Sequence, residues 1–277
     1  MRVDSHQHFW KVARGDYGWL TPKDHPAICR DFGPKDLEPL LRDARIDRTV
    51  LVQAAPAIAE TDYLLDLARR TPIVGGVVGW VDFLAEDAPA SITRLAAGGN
   101  LVGLRPMIQD IADDRWMLSP KLAPAIAAME EANLVFDALV KPRHLPVLAD
   151  FLAQHPKLRV AIDHGAKPNI ASGNLMSWRT GMREIARTSH AFCKLSGLVT
   201  EAGRSWSVAS LQPCVDILLE TFAPDRLMWG SDWPVLNEAS DYLSWVRAAE
   251  ILTERISASE RDAIFGGTAA SFYGIAS

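Results

Sequence analysis

The stretch VDSHQHF, residues 3–9, sets two imidazoles, His6 and His8, one residue apart among apolar and aromatic neighbours almost at the N-terminus. In an extended strand alternate side chains share a face, so the spacing predicts both rings on one side of it. Seven further short apolar runs follow: TVLVQA (49–54), GVVGWVDF (76–83), LVGLRPM (101–107), LVFDALV (134–140), RVAIDH (159–164), AFCKLSG (191–197) and RLMWGSD (226–232). They are rich in Val, Leu and aromatic residues and short enough for buried strands.

Between the runs lie amphipathic segments such as LEPLLRDAR (37–45), DYLLDLARR (62–70), PKLAPAIAAMEEA (120–132), RHLPVLADFLAQ (143–154), MREIARTS (182–189) and LQPCVDILLETF (211–222). Their apolar residues recur three and four apart, the spacing of a helix laid over a sheet. GPKD before Leu37 and Ser119–Pro120 supply helix starts, with Ser as N-cap and Pro in the first turn. Eight strands alternating with helices, with no Gly/Pro/Ser-rich linker, predict one (β/α)8 TIM barrel, an α/β fold, over residues 1–277. A doubly wound open sheet is the rival architecture. Residues from 238 onward read as helices that close the outer ring.

Composition narrows the function. Apolar residues make up 48% of the 277 and charged residues 23%, enough for a sizeable core. The net charge is −5 and the 29 Lys and Arg form no basic run, which excludes nucleic acid and an anionic membrane as main partners. Cys29, Cys193 and Cys214 are far apart and lack CxxC spacing, so they read as reduced thiols of a cytoplasmic protein. The N-terminus lacks a signal-peptide pattern, and no apolar run reaches the length of a membrane span. Self-association into a homo-oligomer is compatible with all of this.

In such a barrel, chemistry sits at the C-terminal ends of the strands. The polar residues there are His6, His8, Gln53, Asp82, Arg105, Asp137, His164, Lys194 with Ser196, and Asp232. Singly each has a bland reading. His164 could bond a neighbouring carbonyl, Asp232 could cap a turn, and Lys194 could reach solvent. Together they form a ring of ionisable groups at one end of an apolar barrel, costly to desolvate without a task. WGSDW (229–233) lacks the second glycine of a nucleophile elbow, and neither GGVVGW nor AAGGN has phosphate-loop spacing. His25, His144, His155 and His190 read as surface residues. Trp10, Trp80 and Trp233 adjoin the candidate site, where an indole could stack on a substrate ring.

The motifs DSHQHFW (4–10), GLRP (103–106), DHGAKP (163–168), CKLSGL (193–198) and GSDWP (230–234), in that order over essentially the whole chain, resemble the amidohydrolase superfamily. Within it the likeness is to TIM-barrel lactone hydrolases, the sugar lactonases of L-fuconolactone and L-rhamnonolactone in particular. The resemblance implies a site of His6, His8, His164 and Asp232. The chain departs from the two-metal members: LVFDALV has no lysine to bridge two ions, and CKLSG carries Lys194 where another histidine could stand. His164 also falls on the sixth run, so its strand registry against the family is open. The expectation is at most one divalent ion, zinc by its taste for N and O ligands, with a metal-free enzyme as the other case.

For lactone hydrolysis Asp232 is the candidate base, and His6, His8 and His164, with or without the ion, polarise the carbonyl. Arg105 and Lys194 would bind substrate oxygens, with Gln53 and Trp80 in lesser roles. The aromatic-rich stretch 9–34 is long for a βα loop and would cover the pocket. A metal-dependent decarboxylase of an aromatic or unsaturated acid, and a non-catalytic binding protein, are the competing functions.

Overall fold

The computed structural model describes residues 1–276. The elements run β1 (Val3–Gln7), α1 (Pro34–Ala44), β2 (Arg48–Val52), α2 (Ile58–Arg69), β3 (Val74–Gly79), α3 (Ala88–Ala96), β4 (Leu101–Leu104), α4 (Ala123–Glu131) and β5 (Val135–Ala138). Then come α5 (Leu145–Gln154), β6 (Arg159–Ile162), α6 (Met176–Thr188), β7 (Phe192–Leu195), α7 (Leu198–Ala202), α8 (Val208–Phe222) and β8 (Leu227–Trp229). The chain ends with α9 (Tyr242–Leu252), α10 (Ala258–Asp262) and α11 (Thr268–Tyr273). All eight strands pair in parallel in sequence order, which gives the (β/α)8 barrel and rules out the doubly wound sheet. Ser119 and Pro120 start a single 3-10 turn that runs into α4 at Ala123, three residues later than the sequence signal suggested. Among the described residues no helix is long and apolar enough to cross a membrane.

The barrel closes in an unusual place. β8 ends at Trp229, and the seam with β1 is made largely by the residues beyond it. Asp232 N donates to His6 O at 2.8 Å, and His8 N donates to Trp233 O at 2.7 Å. Asp4, fully buried, pins the same seam from the side: its Oδ1 accepts from Ser231 N at 2.8 Å and from His6 N at 3.2 Å, and its Oδ2 accepts from Tyr242 Oη at 3.0 Å. Gly230 lets the two backbones meet, because a Cβ there would sit 2.9 Å from that of His6.

β1 also carries a bulge. Val3 and Asp4 pair with Arg48 and Thr49, but Gln7 pairs with Leu51, so β1 spends one more residue than β2 over that interval. One extra residue reverses which face the following side chains occupy. Val3 packs inside the barrel with Val50 and Val52, and Asp4 points out to α9. Beyond the bulge Gln7 points out, its Nε2 bonded to Thr49 Oγ1 at 3.1 Å, while His6 and His8 point in.

The C-terminal segment divides its work. α9 joins the outer ring between α8 and α1, as expected. α11 instead plugs the N-terminal mouth of the barrel, where Phe272, Tyr273 and Ile275 pack on Val3, Val50 and Met228. The sequence showed a helix there but not that the barrel's open end needed an apolar stopper.

Asp4→Ala is expected to leave two buried backbone N–H groups and a phenol without their acceptor, lowering stability by about 3 kcal/mol. Asp4→Asn keeps the Oδ1 acceptor, and the Tyr242 hydroxyl can rotate to accept from the amide, so its loss should stay within about 1 kcal/mol. Denaturant melts of the two variants check the contrast.

Candidate active site

The floor of the site is a convergence of side chains from β1, β6 and β8. Asp232 Oδ1 lies 3.3 Å from His8 Nε2, 3.7 Å from His6 Nε2 and 3.8 Å from His164 Nε2. The His6 and His8 Nε2 atoms are themselves 3.3 Å apart. Each ring is oriented through its other nitrogen. His8 Nδ1 donates to the Val52 carbonyl at 2.8 Å, His164 Nδ1 bonds Ser196 Oγ at 2.9 Å, and His6 Nδ1 faces Asp163 Oδ1 at 3.4 Å. A carbonyl only accepts, so His8 carries its proton on Nδ1 and in the neutral ring presents a lone pair on Nε2. His6 Nε2 is met by Arg105 Nη1 at 3.3 Å, which likewise marks it as an acceptor.

Two imidazole lone pairs and a carboxylate oxygen thus face one another with no proton among them. That donor set fits a divalent cation, with N and O ligands turned inward and the outer nitrogens held by oxygens. His6, His8 and Asp232 have ligand atoms within 4.8 Å of one another, as do His6, Asp163 and His164.

Burial and charge set the protonation states. Burial drives the His6 pKa well below its ordinary value against the pull of Asp163, and lowers His164 to about 4, so both rings are neutral at physiological pH. For Asp232 burial works toward protonation, but His164, His8 and His6 outweigh it and hold the carboxyl below the usual range. An ionised carboxylate facing neutral rings can accept a proton.

Beneath this floor the expected roles change. Lys194 does not reach the cavity. It is fully buried, its Nζ bonded to Asp137 Oδ2, 3.0 Å from Asp163 Oδ1 and 3.3 Å from His6 Nδ1. A cation enclosed by two carboxylates under an imidazole supports the site from below and does not read substrate oxygens. Asp137 is held in turn by Tyr273 Oη of α11 at 2.8 Å. Gln53 is also buried and off the cavity wall, its Nε2 donating to Arg105 O at 2.8 Å while Arg105 Nη2 donates back to Gln53 O. Asp82 is exposed and only caps a turn through Leu84 N. Trp80, whose backbone is bonded to Thr61 Oγ1, does not line the cavity, and Trp10 and Trp233 are packed in the core.

Arg105 does face the cavity. It is 3% exposed, pairs with Asp163 Oδ2 at 3.4 Å, and its Nε–H has no protein acceptor. A buried donor without a protein partner, on a residue that lines a pocket, is suited to a substrate oxygen.

The cavity above these groups holds about 360 Å³ and is lined by His8, Arg105, His164 and Asp232 below, with Trp19, His25, Met107, Gln109, Lys167 and Thr200 among the residues above. The stretch 9–34 does cover it, through residues the sequence did not single out. Trp19 is tethered by its Nε1–H to Ala54 O at 2.8 Å and meets His25 edge to face, so His25 belongs to the site and not to the outer surface. His144 is likewise no surface residue: it is buried, its Nδ1 accepting from Lys141 N at 3.1 Å. Glu60 lies just before the amphipathic segment 62–70 and carries no motif of its own, yet its carboxylate accepts from the Ala54 and Ala55 N–H groups and fixes that wall.

The amidohydrolase family profile matches residues 3–275. The chain belongs to the amidohydrolase family. It is 49% identical to an L-fucono-1,5-lactonase of Burkholderia ambifaria over 99% of this chain and 96% of that one. An L-fucono-1,5-lactonase of Burkholderia multivorans is 38% identical, again over 99% and 96%. A crystal structure of an amidohydrolase from Burkholderia multivorans with bound zinc superposes over the whole of both chains, with a TM-score of 0.93 at 38% identity. This amidohydrolase therefore has a solved relative with bound zinc and a candidate His/Asp metal cluster of its own.

Glu60 gives the family member a pH signature. Burial raises its pKa from 4.5 to about 7 against the backbone donors of Ala55 and Ala54. Between those values the folded state holds a proton on Glu60 that the unfolded chain has lost, so the contribution of Glu60 to stability falls as pH rises from about 5 to about 7, by on the order of 3 kcal/mol. In melts across that range the stability of the wild type relative to Glu60→Gln should fall by that amount, a difference that separates Glu60 from the other buried carboxyls and imidazoles.

Proposed function

We propose that this amidohydrolase hydrolyses a sugar lactone of the L-fucono-1,5-lactone type to its aldonic acid. The observation that carries the reading is the meeting of Asp232 with three imidazoles beside an unpartnered Arg105 donor at a small cavity, in a chain nearly half identical to an L-fucono-1,5-lactonase over its full length. A decarboxylase of an aromatic acid has little use for hydroxyl-binding groups, whereas this pocket presents Gln109, Lys167 and Thr200.

Asp232 takes a proton from the attacking water as its oxygen adds to the lactone carbonyl. The Arg105 Nε–H donates to an oxygen of the ring, stabilising the charge that develops. When the ring C–O bond breaks, the proton on Asp232 passes to the departing ring oxygen, and the product leaves as a hydroxy acid. His6, His8, His164 and Asp232 are the residues that would hold a divalent ion. Such an ion supplies positive charge at the carbonyl oxygen. Without it, the donors that polarise the carbonyl are Arg105 and the Nε2–H tautomer of His164, since His6 and His8 present lone pairs there. The cysteines Cys29, Cys193 and Cys214 are free thiols, which suits a cytoplasmic enzyme.

Asp232→Asn keeps the shape and removes the base, so kcat should fall at least ~100-fold while circular dichroism shows the fold retained. Acid release from L-fucono-1,5-lactone in weak buffer measures it, and near wild-type turnover would refute the assignment. Elemental analysis after dialysis should find at most one equivalent of divalent metal per chain, because the two His/Asp clusters share His6 and the second one's Asp163 already pairs with Lys194 at 3.0 Å. Two retained equivalents would contradict the single-ion reading.

A further inference from the structure

The cavity wall changes character around the barrel. Following the strand order β8, β1, β2, β4, β5, the loops contribute Val235, Trp19, Ala54, Met107 and Leu139 in turn. Because β8 closes onto β1, these five apolar side chains follow one another as an arc around that side of the wall, with His25, Gln109 and Asp110 from the same loops also lining the cavity. The loops after β6 and β7 carry Lys167 and Thr200. Trp19, Met107 and Val235 are only partly buried, so the arc presents apolar surface to the space above Asp232. The proton transfers of lactone hydrolysis make no use of that surface.

An apolar arc is out of place in a site for a ring that bears only hydroxyls, since each hydroxyl turned to it would lose water without gaining an acceptor. It suits a ring that carries one apolar substituent. We propose that the arc is a methyl subsite that selects 6-deoxyaldonolactones over counterparts with a hydroxymethyl group at that position, with Met107 as its specificity-determining residue. The proposal rests on the lactonase reading above. In a 1,5-lactone the methyl sits on the carbon that bears the departing ring oxygen. Seating it against Met107 and Leu139 turns the ring hydroxyls toward Lys167 and Thr200. Met107 suits the role because a flexible thioether on the cavity wall moulds to a methyl and offers a hydroxyl almost nothing.

The test compares kcat/KM for three lactones: L-fucono-1,5-lactone, the same ring with hydroxymethyl for methyl, and the five-carbon ring with neither. The wild type should favour the methyl lactone over the hydroxymethyl one by about 10- to 100-fold, the range an apolar pocket achieves against an added hydroxyl. Met107→Gln, close in shape and polar, should cut that ratio at least ~5-fold, and should cost the methyl lactone more than the five-carbon one. Val235→Thr, which changes a methyl for a hydroxyl at nearly constant volume, should shift the ratio in the same direction and serves if the first variant folds poorly. Equal wild-type turnover of the methyl and hydroxymethyl lactones, or equal losses on all three rings in both variants, would overturn the methyl subsite alone. Failure of the wild type to turn over any lactone would overturn the lactonase reading and the subsite with it.

Discussion

The closure of β1 against the segment after β8 is the constraint on which the site depends. A barrel needs its last strand to meet its first, and here the hydrogen bonds that do so belong to residues 231–233 rather than to β8 proper. Asp232 is held through its own backbone N–H by the carbonyl of His6, a residue its side chain faces. Closing the barrel and aiming the carboxylate at the imidazoles are therefore one event. Asp4 makes this stable by giving the seam a buried acceptor, and burial raises that carboxyl to about 6 even as Ser231, His6 and Tyr242 donate to it.

Under the seam lies a second constraint, a charge cluster walled off from water. Lys194 and Arg105 face Asp137 and Asp163, two positive groups against two negative ones, all buried. Burial opposes the charge on Asp163, but Lys194, His6 and Arg105 outweigh it and hold its carboxyl well below the usual range. Asp137 is pushed up to about 6 by burial, with Lys194 opposing. Removing one member of such a cluster would strand the others at a cost of about 3–5 kcal/mol. Its geometric effect is to fix His6: Asp163 holds the ring on one side and Arg105 meets it on the other. Tyr273 carries this support down to the C-terminal plug, so α11 is tied to the site through Asp137 and Lys194.

The eight strands were legible because a strand buried on both faces must be short, apolar and rich in Val and Leu, and parallel pairing forces a helix between each pair. The strand-end ring was legible for a related reason, since ionisable residues at one end of apolar strands stand out against their surroundings. Roles within the ring were not. Lys194 reads the same in sequence whether it lies over the barrel or beneath His6; the difference comes from Asp137 and Asp163, which arrive from two other strands. Trp19 and His25 were hidden in a long loop whose path follows no periodicity, and Tyr273 lies more than a hundred residues from the carboxylate it holds.

Asp163 escaped notice for a sharper reason, and it shows how the site departs from strand geometry. Successive residues of a strand point to opposite faces, so a reading that places His164 in the site places Asp163 outside it. The chain avoids this by leaving β6 in the left-handed region for four residues running, with φ of 53° at His164, 56° at Gly165, 60° at Ala166 and 51° at Lys167. Three of these carry side chains, at a cost of roughly 1–2 kcal/mol each. The turn is held by Trp178 Nε1 on the Gly165 carbonyl at 2.6 Å and by Lys167 N on His164 O at 2.8 Å. Its product is a backbone that brings Asp163 and His164, adjacent in sequence, to the same side, one bracing His6 and the other facing Asp232. The bulge in β1 solves the matching problem, turning His6 and His8 inward on a strand whose first residues set the opposite parity. Both departures lie where a rigid barrel must supply more converging side chains than its alternation allows, and both spend backbone regularity to place an imidazole beside Asp232.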